Sequence, residues 1–108
     1  MSGRIEFQGA SGRVYSFFRS DEPAAARPIG VTYVIAAREA GAWLVMAVGH
    51  TPNLAERSWA SELAQARAIH PAAELLVRLN VSRAIREEEA ADLAHLVSPG
   101  GDRAAAGG

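Results

Sequence analysis

Two apolar runs separated by a short polar turn place the strongest constraint on the fold of this chain. Residues 30–37 read GVTYVIAA and residues 42–48 read AWLVMAV, and both runs are rich in strand-forming residues. The four residues between them, REAG at 38–41, suit the turn of a hairpin. Because both runs are apolar at nearly every position, they predict two strands that are buried on both faces.

A further hairpin is predicted ahead of this one, over residues 4–19. Apolar and polar residues alternate at its start, and residues 9–12 (GASG) supply a flexible turn. Strand-forming residues resume at 14–18, and a break with two prolines follows at residues 20–28. The first half of the chain therefore predicts two hairpins.

The second half predicts a helix, a strand and a second helix. Residues 54–69 are rich in Ala, Leu, Glu and Arg, which favour helix. Residues 74–81 (ELLVRLNV) alternate as a buried strand does. Ser82 is a suitable N-cap for a second helix over residues 83–97.

This order of elements predicts an α+β fold. We expect a small, mainly antiparallel sheet of about five strands, made of two hairpins plus one strand, with two packed helices. The length of 108 residues suits one domain, which we place at residues 1–98. Residues 99–108 (PGGDRAAAGG) are expected to form a flexible C-terminal tail.

Composition and charge exclude several classes of function. The 11 basic residues are all arginine, and with 12 acidic residues the net charge is −1. This balance argues against a strongly cationic nucleic-acid coat or a polybasic membrane anchor, and leaves room for a local arginine patch. The absence of cysteine excludes disulfides and thiolate chemistry. With no long apolar run and no signal-like start, we expect a cytoplasmic protein with no membrane contact.

Glu89 is the most informative residue of the second predicted helix. A helical wheel places it inside the apolar stripe formed by Ile85, Leu93 and Leu96. An ionised carboxylate that faces a core is costly unless it is paired or binds a cation. Two interpretations stay open: a metal ligand or catalytic acid, or a carboxylate satisfied by water or by an arginine such as Arg78.

A second cluster of candidate residues lies between positions 30 and 57. The run GVTYV contains Tyr33, and AVGHTPNLAER begins with the last two residues of the next predicted strand and ends at Arg57. Asn53 can cap the helix that begins there, and Glu56 stands at the spacing of a capping box. The loop that carries this segment is expected to start at Gly49.

These residues resemble the motifs of the GIY-YIG nuclease family. In that family two tripeptides lie on neighbouring strands, and a T-x-[ND]-L-x-x-R stretch, here residues 51–57, follows the second. The opening IEFQGASGRVYSF is similar to the N-terminal hairpin of many small bacterial members. The resemblance covers about residues 4–99, with motifs of moderate specificity and a matching order of elements.

The resemblance implies metal-dependent hydrolysis of phosphodiester bonds in DNA or RNA. By this resemblance Tyr33 acts at the attacking water, Arg57 stabilises the scissile phosphate, and Glu89 is the nearest match to the glutamate that holds a divalent ion, usually magnesium. An arginine and a cation both stabilise the charge that develops on the phosphate oxygens. The expected substrate-binding residues are those of the loop: Gly49, His50, Thr51 and Asn53.

Two departures from the family pattern leave an alternative function open. Ala47 stands where the family has its second tyrosine, and the usual spacing of the helix glutamate falls on Ala90 rather than Glu89. Losing members of a catalytic unit removes most of the activity. The alternative is a catalytically inactive GIY-YIG-like module that binds nucleic acid or a protein partner. A cleft that joins Tyr33, Arg57 and Glu89 would favour the enzyme.

Overall fold

The computed structural model describes residues 4–20 and 27–97 of the chain. Within these ranges the elements are, in chain order, β1 (Ile5–Gln8), β2 (Val14–Arg19), β3 (Val31–Glu39), β4 (Ala42–Thr51), a first 3-10 turn (Leu54–Glu56), α1 (Ala60–Ile69), β5 (Glu74–Leu79), α2 (Arg83–Leu93) and a second 3-10 turn (Ala94–Leu96). The predicted α+β fold with two hairpins, one further strand and two helices is confirmed. The tail predicted at 99–108 lies outside the described residues.

The five strands form one antiparallel sheet in the order β1-β2-β5-β3-β4. Strand β3 lies between β5 and β4, and its first seven residues, 31–37, are all buried. This burial explains why the run is apolar on both faces. The same burial was predicted for β4 and is wrong, because β4 is an edge strand and most of its residues are half-buried. In the register, Tyr33 lies opposite Gly49 of β4 on one side and Val77 of β5 on the other.

Each face of the sheet carries one helix and one apolar core. We call the face covered by α1 the α1 face and the face covered by α2 the α2 face. The buried core of the α1 face contains Val31, Tyr33, Ile35, Ala37, Leu54, Trp59, Leu63, Ala66, Ala73 and Leu75. The buried core of the α2 face contains Phe7, Tyr15, Phe17, Val34, Ala36, Val45, Leu76 and Leu93. Residues of β3 alternate between the two cores, as strand geometry requires.

Strand β4 continues further than the sequence predicts. Residues 49–51 were expected to begin a loop, but they pair with residues 31–33 of β3. The register shifts between Ile35 and Ala36, which leaves Met46 of β4 as the extra residue of a bulge. The ladder extends because the backbone N–H and C=O groups at the buried start of β3 need hydrogen-bond partners on both sides of the strand.

The first predicted helix is interrupted near its start. Asn53 does act as a cap, since its side chain accepts a hydrogen bond from the Ala55 amide at 3.0 Å. Arg57 then takes a left-handed backbone conformation with φ of 58°. A left-handed residue cannot continue a right-handed helix, so α1 begins only at Ala60.

The second predicted helix is close to the one observed. Ser82 caps α2 as predicted, because its hydroxyl accepts a hydrogen bond from the Ile85 amide at 3.3 Å. The helix ends at Leu93 and a 3-10 turn completes the predicted span. Within the described ranges no helix is long and apolar enough to cross a membrane.

Candidate functional site

Glu89 is buried on the α2 face and three side chains donate hydrogen bonds to it. Its exposed fraction is 4%. The Thr32 hydroxyl donates to Oε1 at 2.8 Å, while Arg78 Nε and Asn80 Nδ2 donate to Oε2 at 3.1 and 3.4 Å. The inward position of Glu89 is confirmed. Of the two interpretations, the contacts agree with the carboxylate that is satisfied by Arg78.

These contacts do not suit a magnesium ion at Glu89. Both carboxylate oxygens already accept hydrogen bonds, and the Arg78 guanidinium would repel a second cation. Magnesium prefers several oxygen ligands, and among residues 4–20 and 27–97 no three acidic or histidine side chains are grouped to hold a metal. A magnesium-binding role of Glu89 stays a prediction from the sequence.

The buried stripe of α2 also contains an arginine that the helical wheel did not select. Arg86 is 4% exposed, whereas Ile85, which was expected in the stripe, is 45% exposed. Arg86 Nη1 donates to the Asn80 carbonyl at 2.9 Å. A Cβ atom at Gly30 would lie 2.7 Å from that nitrogen, so glycine at this position permits the close approach.

Tyr33 lies on the α1 face, where its hydroxyl donates to Oε1 of Glu62 at 2.5 Å. Burial, and then the hydrogen bond to Glu62, raise the pKa of the Tyr33 phenol above its usual value. A raised pKa disfavours the phenolate that could activate water. Nothing in the sequence marks Glu62 as a partner of Tyr33, because a glutamate next to a buried leucine such as Leu63 usually lies at the solvent-exposed side of a helix.

Tyr33 and Glu89 therefore lie on opposite faces of the sheet. Tyr33 belongs to the α1-face core, whereas Glu89 is bonded to Thr32, whose side chain points to the α2 face. The expected cleft joining Tyr33, Arg57 and Glu89 is not formed. The reason is the alternation of strand side chains, which sends adjacent residues of β3 in opposite directions.

Arg57 lies in a small polar pocket of about 150 Å³ that we call the arginine pocket. It is lined by Ser20, Arg57, Trp59, Leu63, Arg67, Glu74 and Leu75. The Arg57 guanidinium stacks over the Trp59 ring at 4.7 Å, and the Glu74 carboxylate accepts from Arg19 at 2.7 Å. The buried Ser20 hydroxyl has no hydrogen-bond partner among the described residues. Neither Tyr33 nor Glu89 lines this pocket.

The four residues expected to bind substrate are distributed over both faces. Gly49 lies under the Tyr33 ring on the α1 face, where an added Cβ would come within 2.5 Å of the phenol oxygen. His50 pairs with Thr32 and so projects to the α2 face. Thr51 Oγ1 accepts from the Asn53 amide at 3.2 Å, and both residues hold the first 3-10 turn. We find a local structural role for three of the four, His50 being the exception.

A second pocket, of about 410 Å³ and mostly apolar, is lined by residues of the same strand β5 that lines the arginine pocket. We call it the apolar groove; it is lined by Ser16, Phe18, Arg19, Arg27, Ile29, Leu54, Val77, Arg78 and Leu79. Phe18 is 47% exposed and Leu79 is 63% exposed. The sequence does carry a signal for this groove. Phe17 and Phe18 are adjacent in a strand, so their rings face opposite sides of the sheet, and each side receives only one of them.

Asp92 forms a hydrogen-bonded cluster that joins α2 to the first hairpin. Its carboxylate accepts from the Ser11 amide at 2.8 Å, the Ser11 hydroxyl at 2.7 Å and the Tyr15 hydroxyl at 2.9 Å. The hydrogen bond from the Ser11 side chain, followed by those from the Ser11 amide and Tyr15, holds the pKa of Asp92 below its usual value. We interpret this cluster as a tether between elements.

Comparisons with protein-family models, with curated proteins and with solved structures found no match for this chain. The resemblance to GIY-YIG nucleases therefore stays a prediction from the sequence.

Proposed function

We propose that this chain is a catalytically inactive GIY-YIG-like module that binds nucleic acid through phosphate contacts in the arginine pocket. The observation that carries the proposal is the meeting of Arg57 and Arg67 in one polar pocket beside Trp59. Guanidinium groups bind phosphate oxygens through paired, charge-assisted hydrogen bonds. Arg67 Nε donates to the Ala73 carbonyl at 3.0 Å, and the terminal nitrogens of Arg67, together with the Arg57 guanidinium, supply the donors that a phosphate group needs.

Two further features of the pocket support an anionic ligand. The acidic residue in its lining, Glu74, is already paired with Arg19 on the sheet, which reduces its repulsion of an anion. Arg57 holds a left-handed conformation that costs a residue with a side chain about 1–2 kcal/mol. Strained residues of this kind concentrate at binding sites, and Arg57 is also the residue that the family resemblance assigns to phosphate.

The separation of the other candidate residues favours binding over cleavage. A nuclease mechanism needs Tyr33, Arg57 and Glu89 at one phosphate, yet Tyr33 and Glu89 lie on opposite faces. Ala47 also stands at the position of the second family tyrosine. A weakened magnesium-dependent nuclease is accordingly the less supported candidate. We also propose that the protein is located in the cytoplasm.

The proposal is tested by measuring binding and cleavage with the same purified protein. Fluorescence anisotropy with labelled 20-nucleotide DNA and RNA, single-stranded and duplex, should give affinities that fall as salt rises. Arg57→Ala and Arg67→Ala should each weaken binding and reduce the salt slope by about 1. Incubation with magnesium or manganese should leave every substrate intact.

Arg83→Ala is the matched control, because Arg83 is exposed, pairs with Glu87 on α2 and does not line the pocket. It should bind as the wild type does. Metal-dependent cleavage that is lost in Glu89→Gln would overturn the proposal in favour of the nuclease. Absence of binding to all four nucleic acids at low salt would also overturn it.

A further inference from the structure

We infer that the nucleic acid bound by this chain is single-stranded, with one unpaired base seated in the apolar groove next to the arginine pocket. This inference rests on the proposed function of the arginine pocket. It names the class of nucleic acid and adds a base site that includes Phe18, Val77 and Leu79. These three residues were not among those selected from the sequence.

The two pockets follow one another along the α1 face of strand β5. Leu75 lines the arginine pocket, while Val77 and Leu79 line the apolar groove. Same-face neighbours in a strand are about 6.6 Å apart, because each residue advances about 3.3 Å. This separation is comparable with the distance from a phosphate to the base of its own nucleotide. One nucleotide can thus span both pockets.

The chemistry of the two pockets differs in the way that the two ends of a nucleotide differ. Guanidinium groups meet in the arginine pocket, whereas the groove presents the half-exposed Phe18 ring with Val77 opposite it in the sheet. Bases stack on aromatic side chains whatever their sequence. The groove volume of about 410 Å³ lies within the range of about 300–1,000 Å³ that small-molecule sites occupy.

The arginines at the groove itself argue against an acidic peptide as the occupant. Of the three arginines that line the groove, Arg19 is paired with Glu74 and Arg78 with the buried Glu89, while Arg27 is exposed. An acidic peptide would need several free cations along the groove, whereas a nucleotide needs an apolar surface for its base and positive charge beside it for its phosphate. The distribution of charge therefore favours a nucleotide.

A duplex cannot satisfy both pockets in this way. Its bases are stacked and paired with one another, so a base reaches a protein groove only when it is unpaired or has been flipped out at a cost of a few kcal/mol. Single-stranded nucleic acid offers its bases without that cost. The inference consequently predicts a preference for single strands at equal salt.

The test compares a labelled 20-nucleotide strand of mixed sequence with the duplex of the same sequence, by anisotropy at one salt concentration. The single strand should bind at least about tenfold more tightly. Phe18→Ala should weaken single-strand binding roughly 5- to 100-fold, the range of lost base stacking, and leave duplex binding unchanged. Phe18→Tyr keeps an aromatic ring and should retain the wild-type affinity.

Ile85→Ala is the control for removing an exposed apolar side chain, since Ile85 lies on α2 and lines neither pocket. Circular dichroism and thermal unfolding of each variant confirm that it is folded.

Equal binding of strand and duplex, with Phe18→Ala unchanged and Arg57→Ala weakened, would overturn this inference and leave the proposed function standing. Failure of the wild type to bind either the single strand or the duplex would overturn both this inference and the proposed function. Phe18-dependent binding of a peptide rich in Glu and Leu, without nucleic-acid binding, would assign the groove to a protein partner instead.

Discussion

Thr32 and Tyr33 are adjacent in strand β3, and their hydroxyl groups donate hydrogen bonds on opposite faces of the sheet. Thr32 donates to Glu89 of α2 at 2.8 Å, and Tyr33 donates to Glu62 of α1 at 2.5 Å. Only a shift of strand register by one residue would exchange these directions. Such a shift would also exchange the β3 side chains of the two cores and turn Thr32 away from Glu89, so the separation of Tyr33 from Glu89 is a stable property of the fold.

Removal of the Glu89 carboxylate should destabilise the protein. Glu89→Ala leaves the buried Thr32 hydroxyl and the partly exposed Arg78 guanidinium without their acceptor. The free energy of unfolding should fall by about 2–3 kcal/mol, measured by urea denaturation with circular dichroism. Glu88→Ala, at an exposed position one residue earlier, is the control and should change it little. A Glu89→Ala protein more stable than the wild type would contradict a structural role and point to a site kept for function.

The Asp92 cluster should make stability depend on pH in the acidic range. Because hydrogen bonds from Ser11 and Tyr15 hold the pKa of Asp92 below its usual value, the unfolded chain takes up a proton there more readily than the folded one. The stabilising contribution is complete above the unfolded pKa and is lost as the pH falls through the folded pKa. Unfolding curves of wild type and Asp92→Asn should differ most near neutral pH, begin to approach each other at about pH 4, near the unfolded pKa, and converge only below the folded pKa. The stability difference between wild type and Glu88→Gln should show no such convergence. A stability difference between wild type and Asp92→Asn that does not change with pH would refute the role assigned to Asp92.

Gly49 should be required for the position of the Tyr33 ring. A Cβ at Gly49 would lie 2.5 Å from the phenol oxygen, which the hydrogen bond to Glu62 holds in place. We expect Gly49→Ala to cost about 1–3 kcal/mol of unfolding free energy, the usual cost of overpacking. In a Tyr33→Ala background the same change should cost much less, and a double-mutant cycle measures this coupling. Equal costs in both backgrounds would show that the two residues do not interact.

Elements whose signals are local could be predicted from the sequence, whereas their ends often could not. The apolar runs of the central hairpin, the helix-forming composition and the caps Asn53 and Ser82 are all short-range features. The ends of β4 and β5 and the start of α1 were wrong because they depend on distant partners. Strand β5 ends at Leu79 rather than at residue 81, and both Leu79 and Val81 are exposed. Strand β4 reaches Thr51 by pairing with Val31, and Arg57 takes its left-handed conformation where the chain turns onto the α1 face.

The candidate site shows the same division. The helical wheel correctly turned Glu89 inward and Arg78 was a candidate partner, since helix and strand periodicity report which side faces the core. The wheel could not separate Ile85 from Arg86, because a buried arginine with a backbone acceptor at Asn80 looks like a surface residue in the sequence. The exposed ring of Phe18 was missed because its exposure depends on how the elements pack around that part of the sheet, which no local pattern reports.

The sequence by itself determined the five strands, the two helices and the burial of Glu89, because hydrophobic periodicity and capping act over a few residues. Only the tertiary structure decided that Tyr33 and Glu89 face away from each other. It also decided that Arg57 and Arg67 meet Ser20 in one pocket, since that pocket joins residues from the end of β2, the turn before α1 and α1 itself. Contacts of this kind depend on strand order and register. Pairing between distant parts of the chain sets both, and no local sequence pattern encodes them.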